Sequence, residues 1–154
     1  IIFPVFITIL LSSVEVGMIT MRHTMLERGL DLAVRDVRLG TGIMPQSHNQ
    51  MKQMICDYAI YLPQCTTNLK LEMKPVDLRA GFNMPDQADC VDQAQPLLPV
   101  REFTPGLDNE LMILRACAKF KPLYPLSGLG YALVKDGSGY YKMTAMSAFV
   151  QEPR

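Results

Sequence analysis

Hydrophobic and polar positions change period along this chain. From Ile1 to Val14 there is no charged residue, and the apolar run continues through Val16, Gly17, Met18 and Ile19 to Met21 before Arg22 and His23. Glu15 is its one interruption. A helix rises about 1.5 Å per residue and a bilayer core takes roughly 20 apolar residues. The run therefore predicts a transmembrane helix over residues 1–21, with its true start upstream of Ile1. A buried core helix and a cleaved secretory segment are the competing readings. The first is disfavoured by length without a polar face, and the second by the lack of a small-residue cleavage site.

Helical spacing continues past the apolar run. Met25, Leu26, Leu30, Ala33, Val34 and Val37 recur every three or four residues, while Arg28, Asp31, Arg35 and Arg38 fall largely elsewhere. One helix is thus expected to run from the membrane into an aqueous domain, residues 22–154, and to end at Gly40 and Gly42 before Pro45. Ser47 is placed to cap a second helix carrying Met51, Met54, Ile55, Tyr58, Ala59 and Leu62, which stops at Pro63. The period then becomes two. Leu69, Leu71 and Met73 alternate with Lys70, Glu72 and Lys74, predicting a half-buried strand ended by Pro75. A turn-rich acidic stretch over 79–106, with Pro85, Pro96, Pro99 and Pro105, predicts an ordered connecting loop. The apolar run from Leu111 predicts a central strand. The stretch 131–150 predicts a hairpin: a short strand to Lys135, a tight turn from Asp136 to Gly139, and a strand from Tyr140 to Val150. The expected class is α+β: a long membrane helix continuing into a small disulfide-bonded domain with a second helix and three to four antiparallel strands.

Composition alters this picture in few places. Lys plus Arg equal Asp plus Glu at 15 each among 154 residues, so a phosphate-tracking surface is not supported and nucleic acid is not an expected partner. All four cysteines, Cys56, Cys65, Cys90 and Cys117, lie beyond the membrane segment, and none forms a CxxC pair. That pattern favours disulfides in an oxidising compartment over a zinc ribbon or a thioredoxin-like site, with free thiols the alternative. Of the possible connectivities, Cys56 with Cys65 and Cys90 with Cys117 is preferred. It ties the second helix to the first strand and the long loop to the central strand.

Candidate chemistry is sparse. Asp86, Asp89 and Asp92 recur every third residue without calcium-loop spacing, so a solvated acidic loop is the expectation. The turn Asp136 to Gly139 needs no metal or phosphate to explain it. His23 and His48 are the two histidines, and no nucleophile elbow, HExxH motif or phosphate loop is present. The chain is expected to be non-enzymatic, with no cofactor or metal. Glu15 is the residue that stands out, because an ionisable group within hydrocarbon costs several kcal/mol. It is expected at the membrane edge, reaching headgroups, or against a partner helix. Ser12, Ser13 and Gly17 are small residues beside it that permit close helix–helix contact.

The stretches "FPVFITILLSSVEVG", "MICDYAIYLPQC", "ADCVD", "LRACAKFKPLYPLSGLG" and "SAFVQEPR", taken in order over almost the whole chain, resemble the TadE-like family of tight-adherence (Flp) pilus assembly proteins. That resemblance implies a minor pilin-like subunit of the bacterial inner membrane, made with a leader cleaved by a prepilin peptidase, its single helix holding a domain in the periplasm. The processing site would lie upstream of Ile1. Glu15, Val16 and Gly17 match the family's E-x-G, and the four cysteines match its periplasmic disulfides. The implied partners are membrane lipid and other membrane helices, either pilin-like subunits or those of a larger complex. An accessory subunit of another membrane complex is the alternative function.

Overall fold

A computed structural model describes residues 2–40, 47–81, 84–92, 94 and 99–153. Gly42, Pro45 and Pro96 fall outside the described residues. Helix α1 is continuous over Ile2–Leu39, 38 residues or roughly 57 Å at the α-helical rise. Its halves meet different surroundings. Among residues 2–25 only Glu15 is buried, whereas Leu26, Leu30, Ala33, Val34 and Val37 are all core residues. The apolar first half is long and apolar enough to span a membrane, and its exposure distinguishes it from the core helix of a soluble protein. Gly40, at φ +62°, takes the left-handed turn that ends the helix.

Helix α2, His48–Tyr58, starts at Ser47, whose side chain accepts from the Gln50 N–H at 3.3 Å. It ends before the expected stop at Pro63, because Ala59 leaves helical geometry, and a second short turn, α3 (Cys65–Asn68), follows Pro63. The Cys56–Cys65 disulfide bridges the two. Helix α2 crosses α1 at Gly29, where a Cβ would meet the Ile55 carbonyl oxygen at 2.8 Å and the Ala59 Cβ at 2.9 Å. Neither backbone can give way there. Gly29→Leu is expected to destabilise the domain by about 1–3 kcal/mol through overpacking, while Gly17→Leu, in open space, is near neutral. Equal denaturation midpoints for the two variants in detergent would refute this crossing.

Strands β1 (Leu69–Pro75), β2 (Leu111–Phe120) and β3 (Tyr141–Val150) form one antiparallel sheet in the order β1-β2-β3. The inner face sets Leu69, Leu71, Met73, Met112, Leu114, Phe120, Met143 and Phe149 in one apolar cluster with the α1 stripe and α2. The two disulfides are Cys56–Cys65 and Cys90–Cys117, the pairing expected from the chain order of these residues. A long helix leading into a small antiparallel α+β domain is the pilin-like layout anticipated from the sequence.

Two expectations are corrected. The outer face of β1 is not solvated: Lys70 and Glu72 are buried, with Lys70 bonded to Asp89 and the Pro99 carbonyl and Glu72 to the Asp89 N–H and Arg115. The chain beyond Pro99 also hydrogen-bonds along the free edge of β1, the Met73 N–H donating to the Glu102 carbonyl at 3.1 Å and the Thr104 N–H to the Met73 carbonyl at 2.9 Å, which leaves less open edge for unwanted pairing. The expected hairpin before β3 does not form either. Residues Gly128–Ala132 make a one-turn helix, α4, and β3 pairs with β2. Tyr131 and Ala132, the first residues of the expected strand, belong to that turn, which opens at Gly128 with φ +52° and is tied by the Lys135 ammonium on the carbonyls of Gly130 and Tyr131 at 2.5 and 2.9 Å.

Candidate functional site

The apolar half of α1 carries a built polar site, and its residues come from opposite ends of the chain. Glu15 is fully buried. Its carboxylate accepts the Leu123 N–H at 3.0 Å and the Tyr124 N–H at 2.9 Å, one on each oxygen. One helical turn earlier, the Ser12 hydroxyl donates to the Thr8 carbonyl at 2.7 Å and accepts the Leu129 N–H at 3.2 Å. Seven residues beyond Glu15, Arg22 donates to the Lys121 carbonyl at 3.1 Å and to the Tyr141 hydroxyl at 3.0 Å, with its guanidinium over the Phe120 ring. Residues 8, 12, 15 and 22 follow the helical stripe spacing, and together they dock the 121–132 segment along α1. Gly128 lies against this stripe so closely that a Cβ would fall 2.2 Å from the Ser12 Oγ.

Glu15 therefore does not face headgroups or a second chain in this structure. Its acceptors are filled by the chain's own backbone, and the segment they hold reaches into residues 1–21. A carboxylate that accepts backbone N–H bonds is far less costly to bury than a bare one. Sequence reasoning singled out Glu15 and Ser12 but missed their partners, which lie 108 to 117 residues away. Ser13 and Gly17 are on a different face. Both are exposed, the Ser13 hydroxyl bonds only to the Leu10 carbonyl at 2.8 Å, and nothing stands within 4 Å of where a Gly17 Cβ would be. The four expected contact residues thus divide into an occupied pair and an open small-xxx-small pair.

The other singled-out groups act within the fold. The Nε2 of His48 accepts the Leu71 N–H at 3.0 Å and its ring packs edge-on against Phe103, so it pins α2 to β1 as a neutral imidazole. Burial lowers its pKa below the ordinary 6.5, with the Lys52 and Lys70 charges adding to the effect. His23 is exposed, with Nε2 3.3 Å from the Thr144 carbonyl. Asp89 is not a free loop carboxylate: it pairs with Lys70 at 3.0 Å and accepts the Arg101 N–H at 2.8 Å. Asp92 accepts the Ala94 N–H two residues on, and Asp86 is exposed. Asp136 closes its own turn, accepting from Ser138 N and Tyr140 N while pairing with Lys119 at 2.8 Å. Burial opposes its ionisation, but these donors hold its pKa below the usual carboxylate value. Among the described residues no group of three or more His, Cys, Asp and Glu is placed to hold a metal ion. An open cleft of about 590 Å³ lies beyond the strand ends, lined by residues 75–79 and 109–111. Two of its carboxylates bind nearby backbone, Asp77 the Arg79 N–H and Glu110 the Leu107 N–H.

No protein-family model, curated protein or solved structure matches this chain.

Proposed function

We propose that this chain is a non-enzymatic, minor pilin-like subunit acting in assembly of a tight-adherence (Flp) pilus. In this reading it is a single-pass protein of the bacterial inner membrane with its disulfide-bonded domain in the periplasm. The observation that carries the reading is the construction of α1. One unbroken helix has an exposed apolar half and a half buried in an α+β domain, so the domain is held at a fixed height above whatever surrounds the apolar half. The disulfides Cys56–Cys65 and Cys90–Cys117 suit an oxidising compartment. The pilus part of the reading rests on the resemblance of the chain's ordered stretches to the TadE-like family.

A second reading, an accessory subunit of another membrane complex, is favoured by the open face at Ser13 and Gly17, which admits a close neighbouring helix of any origin. Gentle detergent extraction from the native membrane separates the two, with mass spectrometry of the co-extracted proteins and of the chain's N-terminus. Pilin-like partners and a peptidase-processed N-terminus support the first reading. An unrelated stoichiometric complex replaces it with the second.

A further inference from the structure

We infer that residues 121–135 form an interfacial foot that sits in the outer boundary of the bilayer beside α1, a lipid contact additional to the helix. The inference rests on the reading of α1 as a membrane span and adds a second membrane-contacting element to it.

Height is the first argument. The segment is fixed to α1 at Glu15 and Ser12, and a Cβ on Gly128 would lie 3.3 Å from the Thr8 carbonyl. Thr8 is about 10 Å nearer the N-terminus than Glu15 along the helix axis. The surrounding α1 side chains, Phe6, Ile9 and Leu10, are exposed and apolar at 57%, 62% and 45%. Any solvent that accepts those side chains also surrounds the foot.

The second argument is what the foot presents. Leu126 is 89% exposed, Val134 92%, Tyr131 74% and Leu123 45%. Part of its polar backbone is meanwhile paired: the Leu123 and Tyr124 N–H groups on Glu15, the Leu129 N–H on Ser12, and the Gly130 and Tyr131 carbonyls with the foot's own Lys135 ammonium. Apolar side chains outward with backbone groups paired inward is the arrangement hydrocarbon demands. The margin has interfacial chemistry. The Lys135 ammonium lies 5.9 Å from the Tyr131 ring centroid and the Lys121 ammonium 5.0 Å from that of Tyr140. Tyrosines and snorkelling lysines are the side chains of the headgroup level. A foot this short reaches only the headgroup and upper acyl region, roughly 5–10 Å deep.

The chain contains no tryptophan, so single-tryptophan variants report depth without background. Leu126→Trp and Val134→Trp occupy exposed positions that the fold does not use. The full chain is reconstituted in nanodiscs of mixed neutral and anionic phospholipid, with the acyl chains brominated either near the headgroup or near their ends. Phe6→Trp serves as the reporter of the membrane span and Leu107→Trp, in the loop just before β2, as the water control. The expected result is loss of Leu126→Trp and Val134→Trp fluorescence, greater with shallow than with deep bromines, and no loss for Leu107→Trp. If Phe6→Trp is quenched while both foot reporters keep their fluorescence, the foot is overturned and the membrane span stands. That includes the case in which the foot reporters shift to the blue without quenching, which marks a protein contact. If Phe6→Trp also escapes quenching, the membrane reading itself fails.

Discussion

Glu15→Ala is expected to release residues 121–132 from α1 while leaving the three-stranded sheet folded. The carboxylate accepts two backbone N–H groups, from Leu123 and Tyr124, and alanine leaves both without it. Hydrogen bonds to a charged acceptor contribute about 1.5–3 kcal/mol each, so the loss of two falls on the order of 3–6 kcal/mol, enough to undock a segment held by a few contacts. Glu15→Gln should cost less, because its amide oxygen keeps one bond while its NH₂ opposes the second donor. Amide hydrogen exchange of the detergent-solubilised chain reads this directly. Exchange over 121–132 should rise most in Glu15→Ala, less in Glu15→Gln, and little in β2. Wild-type protection of Leu123 and Tyr124 in the alanine variant would remove Glu15 from the role given to it here.

Why Glu15 was visible in the sequence and its partner was not is a matter of range. A charge within an apolar run is a local anomaly, and so is the change from a spacing of three and four to a spacing of two at Leu69. Periodicity of this kind marks α1, α2 and β1, because each buries a face against the same core, while β2, covered on both faces, is marked by an unbroken apolar run. The docking of Leu123 on Glu15 has no local signature, since any backbone N–H can donate. The misread hairpin has a similar cause. The turn from Asp136 to Gly139 forms as expected, with Gly139 N bonded to Asp136 O at 2.9 Å. The strand preceding it does not, because Glu15 and Ser12 hold the backbone of Leu123, Tyr124 and Leu129 on α1 and the chain there turns into α4 in place of extending along the outer edge of β3. Alternation along β1 was read correctly for its inner face. The outer face departs from that pattern because opposite charges facing one another across strands can be buried together, so charged residues alone do not mark solvent.

That buried pair carries the other large effect expected. Glu72 is 3% exposed and lies opposite Arg115 in the register of β1 and β2. Its Oε2 accepts from Arg115 Nη2 at 2.6 Å, from Arg115 Nε at 2.7 Å and from the Asp89 N–H at 3.0 Å. The same guanidinium extends to the carbonyls of Pro85 and Gln87 at 2.7 and 3.3 Å, so one side chain joins the strand pair to the loop covering it. Lys70 repeats the arrangement with Asp89 and the Pro99 carbonyl, both at 3.0 Å. Arg101 contributes less, being half-exposed and 3.7 Å from Glu72. Arg115→Met keeps most of the stem's packing but leaves a buried carboxylate without its cation, and breaking such a pair costs about 3–5 kcal/mol. Arg115→Lys should recover only part, since an ammonium cannot reach Glu72 Oε2 with two N–H groups while also binding the Pro85 and Gln87 carbonyls in one fixed plane. The denaturation midpoint of the oxidised chain should therefore fall in the order wild type, Arg115→Lys, Arg115→Met. The Cys90–Cys117 bridge still tethers the loop to β2, so hydrogen exchange over 84–92 should rise further when Cys90→Ser is added to Arg115→Met. If Arg115→Met costs less than about 1 kcal/mol, the scale of an exposed ion pair, then the packing of the loop, and not this charge pair, holds the outer face of the sheet closed.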